Sequence, residues 1–276
     1  MRWIVAAVVA LSALALAVGC SSETSVTPPP VLVVASYLGD MFMPGFTDPV
    51  ANIGFVVRDD HTVQGAGFFS APVQELDVFF SGTVDSSNTL NATGRLIGNS
   101  GTTDVGAFTI TGTFGNFGGG ANAQGTFTAQ GVGSGSGTWR AFFYTLSPLG
   151  SYMGNFAGDR TGEVALMVFA LDDVVMMIQQ DTPLLLDYYA SDLGSVALTP
   201  PTTSGGPYGL TAQNGLYATG YAFTGSVATL QASGAWQLPS TPTALTGTWS
   251  ATRPQTRAAA GRGVPLGPIR VHRRRK

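Results

Sequence analysis

The chain predicts an all-β protein: two tandem antiparallel meander units of about eight strands each, closed into small β-barrels, with paired β-sandwiches as the alternative. Three observations carry this expectation. Landmarks recur in order: Ser36-Tyr37-Leu38-Gly39 and Ser151-Tyr152-Met153-Gly154, then Asp59-Asp60 and Asp172-Asp173, then Gly125-Thr126-Phe127 and Gly234-Ala235-Trp236, and finally Ser136-Gly137-Thr138-Trp139 and Thr246-Gly247-Thr248-Trp249. Matched landmarks at matched spacing are the mark of an internal duplication. Apolar residues alternate with polar ones at period two inside short runs bounded by turn residues, as in half-buried strands. Only 11% of residues are charged, against roughly 25% in an average soluble domain, so Thr, Ser, Asn, Gln and Gly take the polar positions.

Taken from the start, Arg2 precedes an uncharged run from Ile4 to Val18 that is too short to span a bilayer, for which ~20 residues are needed. Leu16-Ala17-Val18-Gly19-Cys20 follows. The segment resembles the signal peptide and lipobox of bacterial lipoprotein precursors, with Ala17 where Leu is commoner. That resemblance implies a signal peptide over 1–19, cleavage before Cys20, and lipid (diacylglycerol, then palmitate) on that thiol as the membrane anchor. It also implies a place in the bacterial cell envelope, on the outer membrane under the sorting rule that Ser21 obeys. Cys20 is the only cysteine, so no intramolecular disulfide forms and stability must come from the core. Residues 20–33 read as a tether, in which Ser21 to Val31 is polar and Pro-rich and Pro28-Pro29-Pro30 stiffens the chain.

The first unit is expected over 34–145. Leu76, Val78, Phe80 and Val84 share one face, with Asp77 and Ser81 on the other; Phe108, Ile110 and Phe114 oppose Thr109, Thr111 and Thr113. Such alternation buries one side of a pleated strand and solvates the other. Gly82, Gly94, Gly112 and Gly125 stand mid-strand and read as bends or bulges. The second unit is expected over 150–252. Its segment Glu163 to Gln180 (EVALMVFALDDVVMMIQQ) has the length of a helix. Its counterpart, Asn52 to Gly65, is β-branched and holds the acidic pair at the same place, so both are read as hairpins tipped by Asp-Asp. Pro200-Pro201 and Gly205-Gly206-Pro207 mark a loop absent from the first copy. Repeated Gly-Thr-Phe and Gly-Thr-Trp strand ends are similar to those in the small barrels of surface lipoproteins such as transferrin-binding protein B and factor H-binding protein. The likeness is one of composition and implies the barrel, not a ligand.

Charge is segregated. Residues 34–251 hold fifteen of the sixteen acids and only four arginines, whereas 253–276 hold seven arginines and one lysine with no acid. The tail is expected to be unfolded, and its Arg270, Arg273, Arg274, Arg275 and Lys276 suit an anionic envelope surface, each cation adding about 1 kcal/mol at such a surface. Nucleic acid is not an expected partner outside the cell membrane.

Little in the chain supports catalysis. His61 and His272 are the only histidines, His61 lies at an expected turn, and no Gly-x-Ser-x-Gly elbow exists. Neither a metal nor a cofactor site is expected: nitrogen and sulfur ligands are lacking, and the Asp-Asp pairs lack the Asp-x-Asp-x-Asp spacing of a calcium loop. Gly118-Gly119-Gly120 and Gly131 to Gly137 are not followed by the Gly-Lys-Ser/Thr of a phosphate loop. Trp139 and Trp249 are candidate ligand-stacking or packing aromatics, with packing favoured. Tyr188-Tyr189 and Phe142-Phe143-Tyr144 put aromatics on both faces of a strand, the pattern of an interface. The expectation is therefore a lipid-anchored envelope protein that is not an enzyme and acts as a binding or structural module. A carboxylate-based hydrolase without metal is the alternative.

Overall fold

The computed structural model describes residues 34–70, 75–98, 101–131, 134–144, 148–239 and 242–255. The expected signal peptide, Cys20 with its tether, and residues 256–276 of the basic tail lie outside the described residues. Arg253, expected in that unfolded tail, is instead buried and donates Nε–H to the Thr229 carbonyl at 2.6 Å and a guanidinium N–H to the Leu149 carbonyl. Eight strands form the first unit: β1 (Ala35–Phe42), β2 (Ala51–Val57), β3 (Thr62–Phe69), β4 (Leu76–Val84), β5 (Thr89–Gly98), β6 (Thr103–Phe114), β7 (Ala123–Gly131) and β8 (Gly135–Tyr144). Each pairs antiparallel with the next, and β8 returns to β1, closing a barrel. The second unit has nine: β9 (Gly150–Gly158), β10 (Gly162–Ala170), β11 (Asp173–Asp181), β12 (Leu184–Ala190), β13 (Val196–Thr199), β14 (Tyr208–Ala212), β15 (Ala222–Val227), β16 (Gln231–Leu238) and β17 (Leu245–Thr252). The chain is thus all-β, two tandem barrel-like units.

Register makes the duplication explicit. Tyr37 and Tyr152 are each third in the first strand of their unit and fully buried. Trp139 stands opposite Met41 and Trp249 opposite Phe156, positions equally far beyond those tyrosines. Gly125 pairs with Trp139 and Gly112; Gly234 pairs with Trp249 and Gly225. The segment with helical length is the β10–β11 hairpin, whose β-branched and methionine side chains alternate between two apolar surroundings, so both faces are buried. Asp59-Asp60 and Asp172 lie at hairpin tips.

The copies part company at β13, which has no counterpart in the first unit. It pairs with β14 but forms no ladder with β12, so the second sheet ends at β12 and β13 rather than closing as expected. The Pro- and Gly-rich loop foreseen in the sequence joins β13 to β14.

Both interiors are packed with aromatic rings. In the first, Tyr37, Phe55, Phe80, Phe108, Phe114 and Trp139 lie ring against ring with centroids 4.9–6.4 Å apart. In the second, Phe156, Tyr189, Tyr221, Phe223, Trp236 and Trp249 do the same at 5.4–6.5 Å. A third core lies between the units, made of side chains that point out of each barrel: Leu38, Val56, Phe68, Phe79, Phe142 and Tyr144 meet Met153, Met167, Met177, Leu186 and Tyr188. The expectation that one strand face is solvated therefore fails for β4. Asp77 is fully buried at this junction, while Ser81, further along the same face, is exposed. The outer faces of the later strands, such as Thr109, Thr111 and Thr113 on β6, meet solvent.

Gly82, Gly94, Gly112 and Gly125 are not bulges. Pairing runs unbroken through all four, and the register shifts fall at Leu96/Ile97 and Val168/Ala170. Gly112 and Gly125 make room for Trp139, whose indole crosses them and donates Nε1–H to the Thr111 carbonyl at 2.9 Å. Trp249 crosses Gly225 and donates to Thr224 at 3.0 Å, and Trp236 crosses Gly247 and donates to Ala157 at 3.0 Å. On the opposite, outer face of these strands lie shallow threonine-lined grooves of about 640 Å³ over Gly112–Gly125 and about 390 Å³ over Gly247.

Candidate functional site

Because each groove lies behind tryptophan-over-glycine packing that both copies use, a site particular to this molecule is better sought where the copies differ. Strand pairing carries the correspondence across the junction: Leu38 matches Met153, Ala66 matches Met177, Phe79 matches Tyr188, Asn52 matches Glu163, and Phe68 matches Gln179. The units meet as two halves of a two-fold interface. The matched serines Ser36 and Ser151 touch one another, the Ser151 amide donating to Ser36 Oγ at 2.6 Å and Ser151 Oγ–H to the Tyr37 carbonyl at 2.7 Å. On one side of this contact Phe68 stacks edge-on against Tyr188, centroids 5.2 Å apart, and the junction is closed by aromatic rings.

On the other side Gln179 stands in place of the phenyl ring, facing Phe79, and the junction opens into a polar cleft of about 260 Å³. Its walls are Ser81 on β4 and Thr93, Gly94 and Arg95 on β5, with Glu163 on β10 and Gln179 and Asp181 on β11. Arg95 bonds Asp181 and lies 4.0 Å from Asp104. Gln64 Nε2–H donates to Glu163 Oε1 at 3.1 Å, and Arg58 donates to Gln64 Oε1 at 3.2 Å and to the Met153 carbonyl at 3.4 Å, so a chain of polar contacts crosses from one unit to the other. Glu163 forms no ion pair within 4.0 Å among the described residues. Burial pushes its carboxyl pKa up; Asp181 adds to the rise, while the Gln64 hydrogen bond and Arg95 oppose it. Burial likewise depresses the Arg58 guanidinium, against the pull of Asp60.

Gln179 is 5% exposed, and its Oε1 has no hydrogen-bond partner. Its amide orientation is set by Asp181, which accepts from Nε2 at 3.3 Å; a flipped amide would bring two acceptors together. A buried carbonyl without a donor is uncommon and costs on the order of 1–3 kcal/mol. The arrangement is therefore rich in acceptors: one half-buried carboxyl, one orphan amide oxygen and two hydroxyl side chains.

Two other buried acids serve structure. Asp187 points into the second barrel beside the β12–β13 gap and accepts from the amides of Tyr217 and Thr219 at 2.9 and 3.1 Å and from Thr219 Oγ1–H at 2.5 Å. It thereby straps the β14–β15 loop over the open seam, and Tyr217 of that loop reaches across to Asp77 at 2.8 Å. Asp40 accepts from Asn52 at 3.2 Å and Arg140 at 3.3 Å; burial, with the Asp40 charge adding to it, pushes the Tyr144 hydroxyl up to about 12.

Of the residues singled out from the sequence, Trp139 and Trp249 are enclosed at 2% exposure in separate barrels, so the structure does not bring them together. Tyr188, Phe142 and Tyr144 face the other unit, with Tyr189 inside its own. His61 is an exposed hairpin residue at φ 66°. Sequence reasoning missed Glu163, Gln179 and Arg95. The one available signal was a polar Gln at the position matched to Phe68, visible only once strand register is known.

No family model matches the chain, and no curated protein does. Among solved structures, kievitone hydratase from Nectria haematococca is similar over 80% of this chain and 89% of its own, at 9% identity and a TM-score of 0.25.

Proposed function

We propose that the protein is a lipid-anchored component of the bacterial envelope, tethered through Cys20, that works as a binding module with its ligand held in the cleft between the units. The observation that carries the binding site is the broken symmetry of the junction. One side is sealed by Phe68 on Tyr188, and the matched side holds Gln179 with an unpartnered carbonyl beside Glu163. Ring-packed interiors support a surface cleft over carriage inside a barrel, since a buried ligand needs a concave pocket of several hundred Å³.

Two experiments test the parts separately. Cys20→Ala is expected to abolish labelling by an alkynyl fatty acid and to move the protein from the membrane fraction to the soluble one; unchanged labelling removes the anchor. Gln179→Phe restores the ring found on the other side and fills the cleft. Native mass spectrometry after incubation with envelope extract is expected to show a small-molecule adduct on the parent chain and none on this variant. Equal adducts on both would place the ligand elsewhere.

A carboxylate-based hydrolase without metal is the second reading, favoured by the sharing of one cleft by Glu163 and Asp181 and by the raised Glu163 carboxyl, a general acid's requirement. Asp181 is engaged by Arg95, which suits an ion pair better than a base. Turnover of chromogenic glycosides or esters that disappears in Glu163→Gln would establish this reading over the first.

A further inference from the structure

The cleft's chemistry narrows its ligand. The orphan Gln179 oxygen needs a hydrogen-bond donor, and Glu163, which already accepts from Gln64, has no cation within ion-pairing distance among the described residues. Ser81 and Thr93 contribute hydroxyl oxygens on the facing wall, and the volume of about 260 Å³ admits a group of a few heavy atoms. The charges facing Glu163 are Asp181 on its own sheet, Arg95 with Asp104 from β5 and β6, and Arg58, which Gln64 holds at one remove. Arg95 is already shared between two acids, leaving Glu163 the least compensated. The surrounding body, with fifteen acids and four arginines over 34–251, draws cations toward the cleft.

We infer that the inter-unit cleft recognises a primary ammonium group, whose three N–H donors match the Glu163 carboxylate, the Gln179 carbonyl and a wall hydroxyl. This rests on the binding reading above and names the ligand class for the same site. A neutral polyol would also satisfy the Gln179 oxygen. It would leave Glu163 without a counter-charge, which is why the cation is favoured. Binding an ammonium holds Glu163 ionised, so affinity falls as pH drops through the folded pKa of that carboxyl.

The test titrates the full chain with ethanolamine and, separately, with ethylene glycol, a neutral probe of the same size, following backbone amide shifts. Saturable shifts at Glu163, Gln179 and Thr93 are expected, with ethanolamine at least tenfold tighter and weakening at low pH. Glu163→Gln should reduce ethanolamine affinity at least tenfold and remove the pH dependence. Gln179→Met, which removes the orphan oxygen, should weaken binding severalfold yet raise Tm, a pairing that a merely misfolded variant cannot give. Equal binding of both probes at these residues would overturn the ammonium while leaving the cleft as a site. No saturable shift with either probe, or shifts indifferent to both substitutions, would overturn the ammonium and count against the cleft as well.

Discussion

Trp139 and Trp249 are held alike. Each indole lies across glycines of the two strands alongside and donates to a carbonyl two strands away. A Cβ at Gly125 would intrude on the Thr111 carbonyl oxygen, and one at Gly234 on that of Thr224, both backbone atoms that cannot swing aside. Gly125→Ala and Gly234→Ala are accordingly expected to lose about 1–3 kcal/mol each from overpacking, read as a lower urea midpoint at unchanged slope. Gly118→Ala, with nothing within 4 Å of the added atom, should stay within about 0.5 kcal/mol. Glu163 makes the complementary electrostatic case. Its folded pKa is raised, so the fold favours the protonated acid. The stability it contributes is complete below the ordinary glutamate value and is lost as pH rises through the folded one. Glu163→Gln should flatten that decline in a series of Tm measurements across pH.

At the level of elements, the inserted β13 explains why one sheet closes and its copy does not. Four residues of strand pair with β14 alone, and the join to β12 is made by Ser195 instead of a ladder. Ser195 Oγ accepts from the Ala190 amide at 2.9 Å and donates to the Ala190 carbonyl at 3.1 Å, and the Ser195 amide also donates to that carbonyl at 3.1 Å. The loop clasped by Asp187 covers what remains. Ser195→Ala removes both hydroxyl bonds at a buried seam and should cost about 1–2 kcal/mol. Hydrogen exchange should quicken at Ala190 and along β12 while β4, laddered on both sides, keeps its protection.

On the scale of the whole molecule, the third core makes one folding unit of two barrels. Met167 illustrates it: fully buried, it points away from its own barrel and packs where Gly54 of the first unit leaves space. Met167→Ala should therefore weaken the junction by about 2–5 kcal/mol without opening either interior. Calorimetry is expected to resolve two transitions where the parent shows one. A single transition merely shifted downward would mean that the barrels stay coupled without Met167, and two transitions in the parent would mean that the junction does not couple them.

Period-two patterning, turn residues and recurring landmarks sufficed to read all-β architecture, the duplication and the two acid-tipped hairpins, because each of these is written in residues close together along the chain. Which outward faces are dry was not legible. Alternation reports that a side chain is apolar, not whether solvent or another sheet covers it, so Asp77 passed as a solvated residue. The open seam escaped notice too, since four strand residues beside a Pro-rich loop carry no statement about the neighbour they fail to pair with. The cleft lay furthest from view. Phe68 and Gln179 are 111 positions apart, and only the register of four strands sets them in matching places. The sequence by itself determined local strand structure and its repetition, through side-chain sterics and hydrophobic period. Tertiary structure alone decided that the copies meet back to back, sealed by rings on one side and open to polar groups on the other, because that outcome depends on contacts between residues the chain keeps far apart.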